Sequence, residues 1–362
     1  MLLNHSAHPT LVIFNYALDE THPALSHQVE LVEALSENFE KIVVLTGSLN
    51  WIPTNNRIRV ISTNWIPGQH VRNVLKFYLK FLTVLVRERR FIVFSHMTLV
   101  QSFLAAPFLK LSRNPHFLWY AHRQDSLMLR LVSYSISGLV TSTRGSCPIQ
   151  NKKVFCIGQS IDELKFIREF PVEPPLTNFI HIGRADPSKK LEIIIETIHK
   201  LRIDHPELKL TLTGNPSTQD YLNLYMGLQK KWGAAVTEGW LTFTDAAPRG
   251  LIPFILSENH VFIHAYSGSL DKSLIEATMS GLPVATLNEE YRNHFGSWKS
   301  DSANLFLEIK EILAMDSIGI KKEVERRRNL AIKLHSLEQW INSLTSILIS
   351  CSATTPLDLQ DS

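Results

Sequence analysis

The chain has 362 residues and a formal net charge of +3, with 44% hydrophobic and 20% charged residues. That length suits two domains, the composition is that of a folded globular protein, and so small a net charge gives no argument for a nucleic-acid partner. Its three cysteines form no C-x-x-C pair, so a disulfide framework is not expected and a reducing, cytoplasmic compartment is.

The N-terminal apolar run is too short for a secretory signal, and no stretch reaches the length of a membrane span. Strands are predicted at Leu11–Asn15, Lys41–Thr46, Arg57–Ser62, Phe91–Ser95, Phe117–Tyr120, Gly138–Thr141 and Lys153–Ile157. Helices are predicted over Ser26–Asn38 and Val71–Arg89. The stretch Phe170–Asn178 holds three prolines and reads as an interdomain linker. Beyond it, strands are predicted at Asn178–Ile182, Lys209–Thr213, Ala235–Thr237, His260–His264 and Pro283–Asn288. Helices are predicted at Lys190–Asp204, Ser217–Gly233 and Pro248–Leu256. This alternation predicts α/β architecture: two Rossmann-like domains, 1–172 and 178–325, with ligands in a cleft beyond the carboxyl ends of the strands. A final amphipathic helix is expected at about 326–350, and 352–362 reads as a loose tail.

Two segments carry chemistry. The first strand of the second half runs into Gly183-Arg184-Ala185-Asp186-Pro187-Ser188-Lys189-Lys190. A guanidinium fork and an ammonium at a strand-to-helix turn suit a diphosphate, though a solvated turn with two surface cations has the same spelling. The second segment is Tyr266–Val284, YSGSLDKSLIEATMSGLPV. Gly268 allows close backbone approach, and the N–H groups of Ser269, Leu270, Asp271 and Lys272 at a helix start form an anion site. Glu276 holds two ribose hydroxyls there, or it closes an S-x-x-E capping box with Ser273; both readings stand on sequence alone.

Together the two segments resemble the retaining glycosyltransferases of the GT-B fold, the large family 4 that includes sucrose synthases. Gly183-Arg184 with Lys189 matches one signature, and Glu276 through Val284 matches the second half of the E-x7-E signature. The family's first Glu falls on Gly268, in a GSLDK variant of the motif, so Ser269–Asp271 backbone or the Asp271 and Lys272 side chains would replace it. The resemblance implies a nucleotide-diphosphate sugar donor, UDP- or GDP-linked, no cofactor, no metal, and a glycan or lipid-linked acceptor. It implies that Arg184 and Lys189 neutralise the leaving diphosphate. Gly183, Gly214 and the Gly268–Lys272 loop would line the nucleotide, and Glu276 would hold its ribose.

It also implies that His122, at a strand end, orients the donor sugar; His96 is a second candidate. Trp240 lies where the family closes over the base, and it either stacks on that ring or packs in the core. Asp19, Glu20, His22 and His27 are offered to acceptor hydroxyls. The last helix is expected to cross back onto the first domain. No D-x-D, H-E-x-x-H, G-x-S-x-G, P-loop or G-x-G-x-x-G occurs.

In the 69–90 region, Arg72, Lys76 and Lys80 recur every fourth residue among Val74, Phe77, Tyr78, Leu79 and Phe81, followed by Arg87, Arg89 and Arg90. Such a helix rests on anionic lipid at the inner face of a membrane, or packs on the core with a solvated basic side. Two other readings of the whole chain remain beside transfer: a non-catalytic nucleotide-sugar-binding relative, and an epimerase or phosphorylase on the same architecture.

Overall fold

The structure, a computed structural model, describes residues 9–21, 25–88, 90–298 and 304–353. His22 and Arg89 lie outside the described residues, as does 354–362 of the expected tail. The chain divides into two compact units, 1–160 with 338–362, and 161–337.

The first unit is built in order from β1 (Thr10–Asp19), α1 (His27–Ser36), β2 (Ile42–Asn50), β3 (Ile58–Ser62), α2 (His70–Arg87) and β4 (Phe91–His96). There follow α3 (Leu99–Leu111), β5 (His116–Trp119), α4 (Leu127–Ser135), β6 (Gly138–Thr141) and β7 (Val154–Cys156). The seven strands run parallel in the order β3-β2-β1-β4-β5-β6-β7. Strands this apolar are buried on both faces, as a parallel sheet requires.

Register assigns the helices to faces. Val12 and Phe14 lie beside Val93 and Ser95, which lie beside His116 and Leu118, and Leu118 lies beside Leu139. On that face Phe77 and Phe81 of α2 and Ala105 and Leu109 of α3 pack over Val12, Phe14 and Val93. Leu129 and Val132 of α4 pack over Leu118 and Leu139. The side chains of Phe94 and Trp119 point the other way and meet Trp340 at 6.0 and 5.4 Å between ring centroids.

The second unit contains β8 (Asn178–Ile182), α5 (Leu191–Leu201), β9 (Lys209–Thr213), α6 (Gln219–Lys231), α7 (Gly233–Thr237) and β10 (Leu241–Thr244). It continues with α8 (Ile252–Ser257), β11 (Val261–His264), α9 (Lys272–Met279), β12 (Val284–Thr286), α10 (Glu289–Phe295), α11 (Leu305–Ala314) and α12 (Ser317–His335). Its five parallel strands are ordered β10-β9-β8-β11-β12 around one core. The last helix, α13 (Leu337–Ala353), returns the chain to the first unit, where it carries Trp340.

Four expectations are corrected. Ala235–Thr237 is helical, because α6 continues past Trp232 into α7 and only Gly239, at φ +79°, turns the chain into β10. The helix expected from about 326 is two helices, parted at Ser336, and the first belongs to the second unit. The proline-rich segment is not a linker: Val172 and Leu176 are buried in the second core, and Arg168 donates to the carbonyls of Leu256 and Asn259. Residues 352 and 353, expected in the loose tail, close the last helix.

Candidate functional site

The site of the second unit lies in the loops that leave the carboxyl ends of its strands, where an open parallel sheet presents backbone groups and helix N-termini. Two loops are stitched to each other first. Gly183 N–H donates to the Thr213 carbonyl and Ala185 N–H to that of Asn215, both at 3.0 Å. A side chain at Gly214 would collide with the Gly183 carbonyl, so this approach requires glycine.

Arg184 projects into solvent and pairs at 3.2 Å with Asp186, which is buried and accepts the Ser217 N–H at 2.9 Å. The chain then makes a 3-10 turn, Pro187–Lys189, and Lys190 takes left-handed backbone before α5. This turn sends the two lysines across to the loop after β11. Lys189 is buried, bonded to the Asp271 carboxylate, with its ammonium 4.1 Å from the Tyr266 ring centre. Lys190 reaches the Ser267 hydroxyl at 3.3 Å. A cavity of about 490 Å³ opens beside Asp186, Lys190 and the Leu224 and Leu228 side of α6.

The carbonyls of the loop after β11 converge on one side chain. Asn288 donates to the carbonyls of Tyr266, Gly268 and Ser269 at 3.1–3.2 Å. Leu270 anchors it in the core. Asp271 is the N-cap of α9, yet its carboxylate makes no cap bond; it faces Lys189 and the His264 Nε2, 2.9 Å away. The Thr286 hydroxyl accepts the Asn288 N–H and lies 3.1 Å from His264 Nδ1. The ionised Asp271 can only accept, so Nε2–H donates to it; burial keeps the imidazole neutral, so Nδ1 is the acceptor and takes the Thr286 hydroxyl proton.

Burial lowers the His264 pKa, against the pull of Asp271. Burial would raise Asp271, but the His264 bond and the Lys189 charge outweigh it and hold its carboxyl well below the usual range. Beneath them His181 donates its Nδ1–H to Ile263, and burial pushes it down to about 3.

Two sequence expectations are corrected here. Ser273 lies inside α9, so Glu276 closes no capping box. Its carboxylate, 1% exposed, is instead gripped by both guanidinium nitrogens of Arg249, one at 3.0 Å, from the loop after β10. Trp240 is no base platform: it is 3% exposed, stacked on His199, at the amino end of β10 and so at the opposite end of the sheet from these loops.

At Gly268 a Cβ would fall on the Tyr266 phenol oxygen, so the aromatic side chain fills the start of the place where the family carries an acid. Lys272 begins α9 with its Nζ enclosed.

The second unit thus brings together Gly183, Arg184, Lys189, Gly214, Ser269, Asp271 and Glu276 at one sheet edge. Arg249, Lys190, His264 and Asn288 belong with them and were missed. Lys190 had a visible signal, standing beside Lys189; the others make contacts that no local spacing announces.

In the first unit His122 is exposed, its ring 5.8 Å from that of Tyr120. Asp19 is spent on its own turn, accepting from the Thr21 N–H and hydroxyl and from Asn50. His27 and His96 come together through the Gln28 amide, at 3.3 and 2.6 Å. Asn15, whose strand neighbours that of His96, is buried with neither amide atom hydrogen-bonded to the protein. Among the described residues no group of three or more His, Cys, Asp or Glu is arranged to hold a metal, and no helix is long and apolar enough to cross a membrane.

The sequence matches no family model and no curated protein. Solved structures do match. Sucrose-phosphate synthase from Thermosynechococcus elongatus is 14% identical over 96% of this chain and 100% of that one, with a TM-score of 0.75. A glycosyltransferase from Rickettsia africae is 12% identical over 96% and 100%, at 0.70. Anabaena HepE in complex with UDP-glucose is 14% identical over 95% and 100%, at 0.69. At such identities the likeness establishes architecture, and it establishes it over nearly the whole chain: this protein has the GT-B fold, an α/β fold of two Rossmann-like units.

Proposed function

We propose that the protein is a glycosyltransferase that takes a nucleotide-diphosphate sugar, UDP- or GDP-linked, as donor and a glycan or lipid-linked glycan as acceptor. The observation that carries this reading is the basic edge of the second sheet. Lys189 and Lys190 reach the loop that opens α9, whose capping carboxylate is turned away to Lys189 and His264, and Arg184 leaves the same turn as the lysines toward solvent. A helix N-terminus with adjacent cations suits a diphosphate. HepE, of the same fold, is described with UDP-glucose, which favours a nucleotide sugar here too.

In this reading Arg184 and Lys190 meet the diphosphate directly. Charge builds there as the glycosidic bond breaks, and fixed cations stabilise it without reorganisation. Lys189 joins from its seat between Asp271 and Tyr266. Glu276, aimed by Arg249, accepts from the ribose hydroxyls. His122 orients the donor sugar, and His27 with Asn15 and Gln28 forms the acceptor side. The reaction is retaining and metal-independent, and it belongs to polysaccharide or cell-envelope glycan synthesis on the cytoplasmic side of a membrane.

A binding-only role has one observation in its favour: Lys189 is already neutralised by Asp271. Donor turnover separates the two. UDP- and GDP-sugars are supplied with glycan acceptors in EDTA, and release of UDP or GDP is followed. Release is expected; binding without release leaves the non-catalytic role, and release only after adding manganese contradicts the metal-free mechanism. Arg184→Ala should weaken UDP or GDP binding about 10- to 100-fold, the loss of one charge-assisted contact, with the fold intact. Unchanged affinity would remove Arg184 from the phosphate site.

A further inference from the structure

Helix α2 has two apolar stripes. One, with Phe77, Phe81 and Val84, enters the core. The other is Val71, Leu75, Leu79, Leu82 and Val86, spaced four, four, three and four residues apart along the whole helix, and it faces solvent. Val71 is 76% exposed, Leu79 68% and Val86 81%. A soluble helix ordinarily puts polar residues on that side. Here the charged residues exposed beside the stripe are all cations, Arg72, Lys80 and Arg87, with His70 and Thr83 the other exposed polar residues of the helix.

The neighbours repeat the pattern. The helices α2, α3 and α4 share one face of the sheet, and not one Asp or Glu occurs in any of the three. Exposed Phe103 on α3, and Leu127, Leu131 and Tyr134 on α4, extend the apolar surface away from α2. Lys110 and Arg130 add charge of the same sign, the latter paired to Asp125 just outside its helix.

We infer that this three-helix face docks on a lipid surface that carries anionic headgroups. The apolar stripe of α2 enters the boundary between headgroups and acyl chains, and the flanking cations engage the anionic headgroups. Charge complementarity selects this occupant. A second copy of the chain would seal the stripe as well, but it would set Arg72, Lys80 and Arg87 against their own kind with no acid on either helix. A free anion would use the cations and leave the leucines wet. The surface does not depend on the transferase reading, since a chain that transfers nothing can still sit on lipid.

The test is flotation of the purified full chain with vesicles of phosphatidylcholine, and of phosphatidylcholine with phosphatidylglycerol, at low and high salt. The protein should float with the anionic vesicles only, and less so in high salt. Leu75→Gln with Leu79→Gln, and separately Arg72→Gln with Lys80→Gln, should each weaken partitioning about tenfold or more while the circular dichroism spectrum is unchanged. These side chains are exposed, so the variants fold. Failure of the parent to float overturns the inference, as does flotation undiminished in both pairs. Concentration-dependent dimers in the ultracentrifuge, broken by the leucine pair and without flotation, assign the face to a second copy instead.

Discussion

The molecule carries two basic regions built on opposite plans. At the carboxyl edge of the second sheet, cations come with carboxylates from the same chain: Lys189 with Asp271, Arg249 with Glu276, Arg184 with Asp186. On the α2 face no acid stands in the helix at all. Where the pair is buried, as for Lys189 with Asp271 and Glu276 with Arg249, the first plan fixes side chains in place, because such a pair holds its geometry and is costly to open. The second leaves charge long-ranged and screened by salt, which suits a surface and not a pocket. Positive charge alone therefore says little about what a region binds; what the chain has already done with that charge says more.

The comparison breaks most visibly in acid. His116, His181 and His335 are each pushed by burial down to about 3. An unfolded imidazole takes its proton near 6.5, so the unfolded chain binds more protons below that pH and stability falls as pH drops. Each histidine contributes a slope of up to about 1.4 kcal/mol per pH unit between the two values. Urea denaturation of the parent and of His181→Asn at pH 7 and pH 5 should show the variant losing less. Equal losses would mean that His181 is not buried neutral beneath the paired cluster.

Asp271→Asn comes next. It leaves Lys189 charged, enclosed and without its carboxylate, and should cost about 3 kcal/mol in denaturant, whereas Lys80→Gln on α2 should stay within about 0.5 kcal/mol. Equal effects would erase the distinction between the two plans. The smallest effect sharpens it. Glu276→Gln keeps shape and part of the Arg249 contact, and the Arg249 side chain, 29% exposed where that of Lys189 is 8%, can turn its charge to water, so the variant should change nucleotide affinity more than melting temperature. Titrating parent and variant with a ribonucleotide and its 2′-deoxy form makes a double-mutant cycle, and coupling of about 1 kcal/mol places the ribose on Glu276. Strict additivity removes it.

Much of this was legible in sequence because it is local. Apolar runs such as Leu11–Asn15 and Lys209–Thr213, alternating with helical periodicity, specify strands of parallel sheets. Gly183-Arg184 and Lys189 mark a strand-to-helix turn whatever the rest of the chain does. The pairings were not legible. Asp271 meets Lys189 because the adjacent strands β8 and β11 deliver their loops to one edge, and Glu276 meets Arg249 across the same edge from strands two places further apart; spacing along the chain carries no trace of either. Trp240 misled because an aromatic after a glycine looks alike at either end of a strand. The basic row of α2 was legible from its spacing, but its exposed stripe was not: Val71, Leu75 and Leu79 continue the arc of the buried Phe77 and Phe81, and periodicity does not mark where the core ends and solvent begins.

The crowding of Gly268 by Tyr266 bears on how this loop can change over generations. The phenol occupies the place a side chain at 268 would need. A glutamate introduced there alone must displace an aromatic ring that also lies against Lys189. Position 266 therefore has to shrink before position 268 can grow, and the reverse order passes through a damaged intermediate. Gly268→Glu should be harmful in the parent and better tolerated after Tyr266→Ser, a sign-dependent pair that works as a one-way latch on the lineage carrying it.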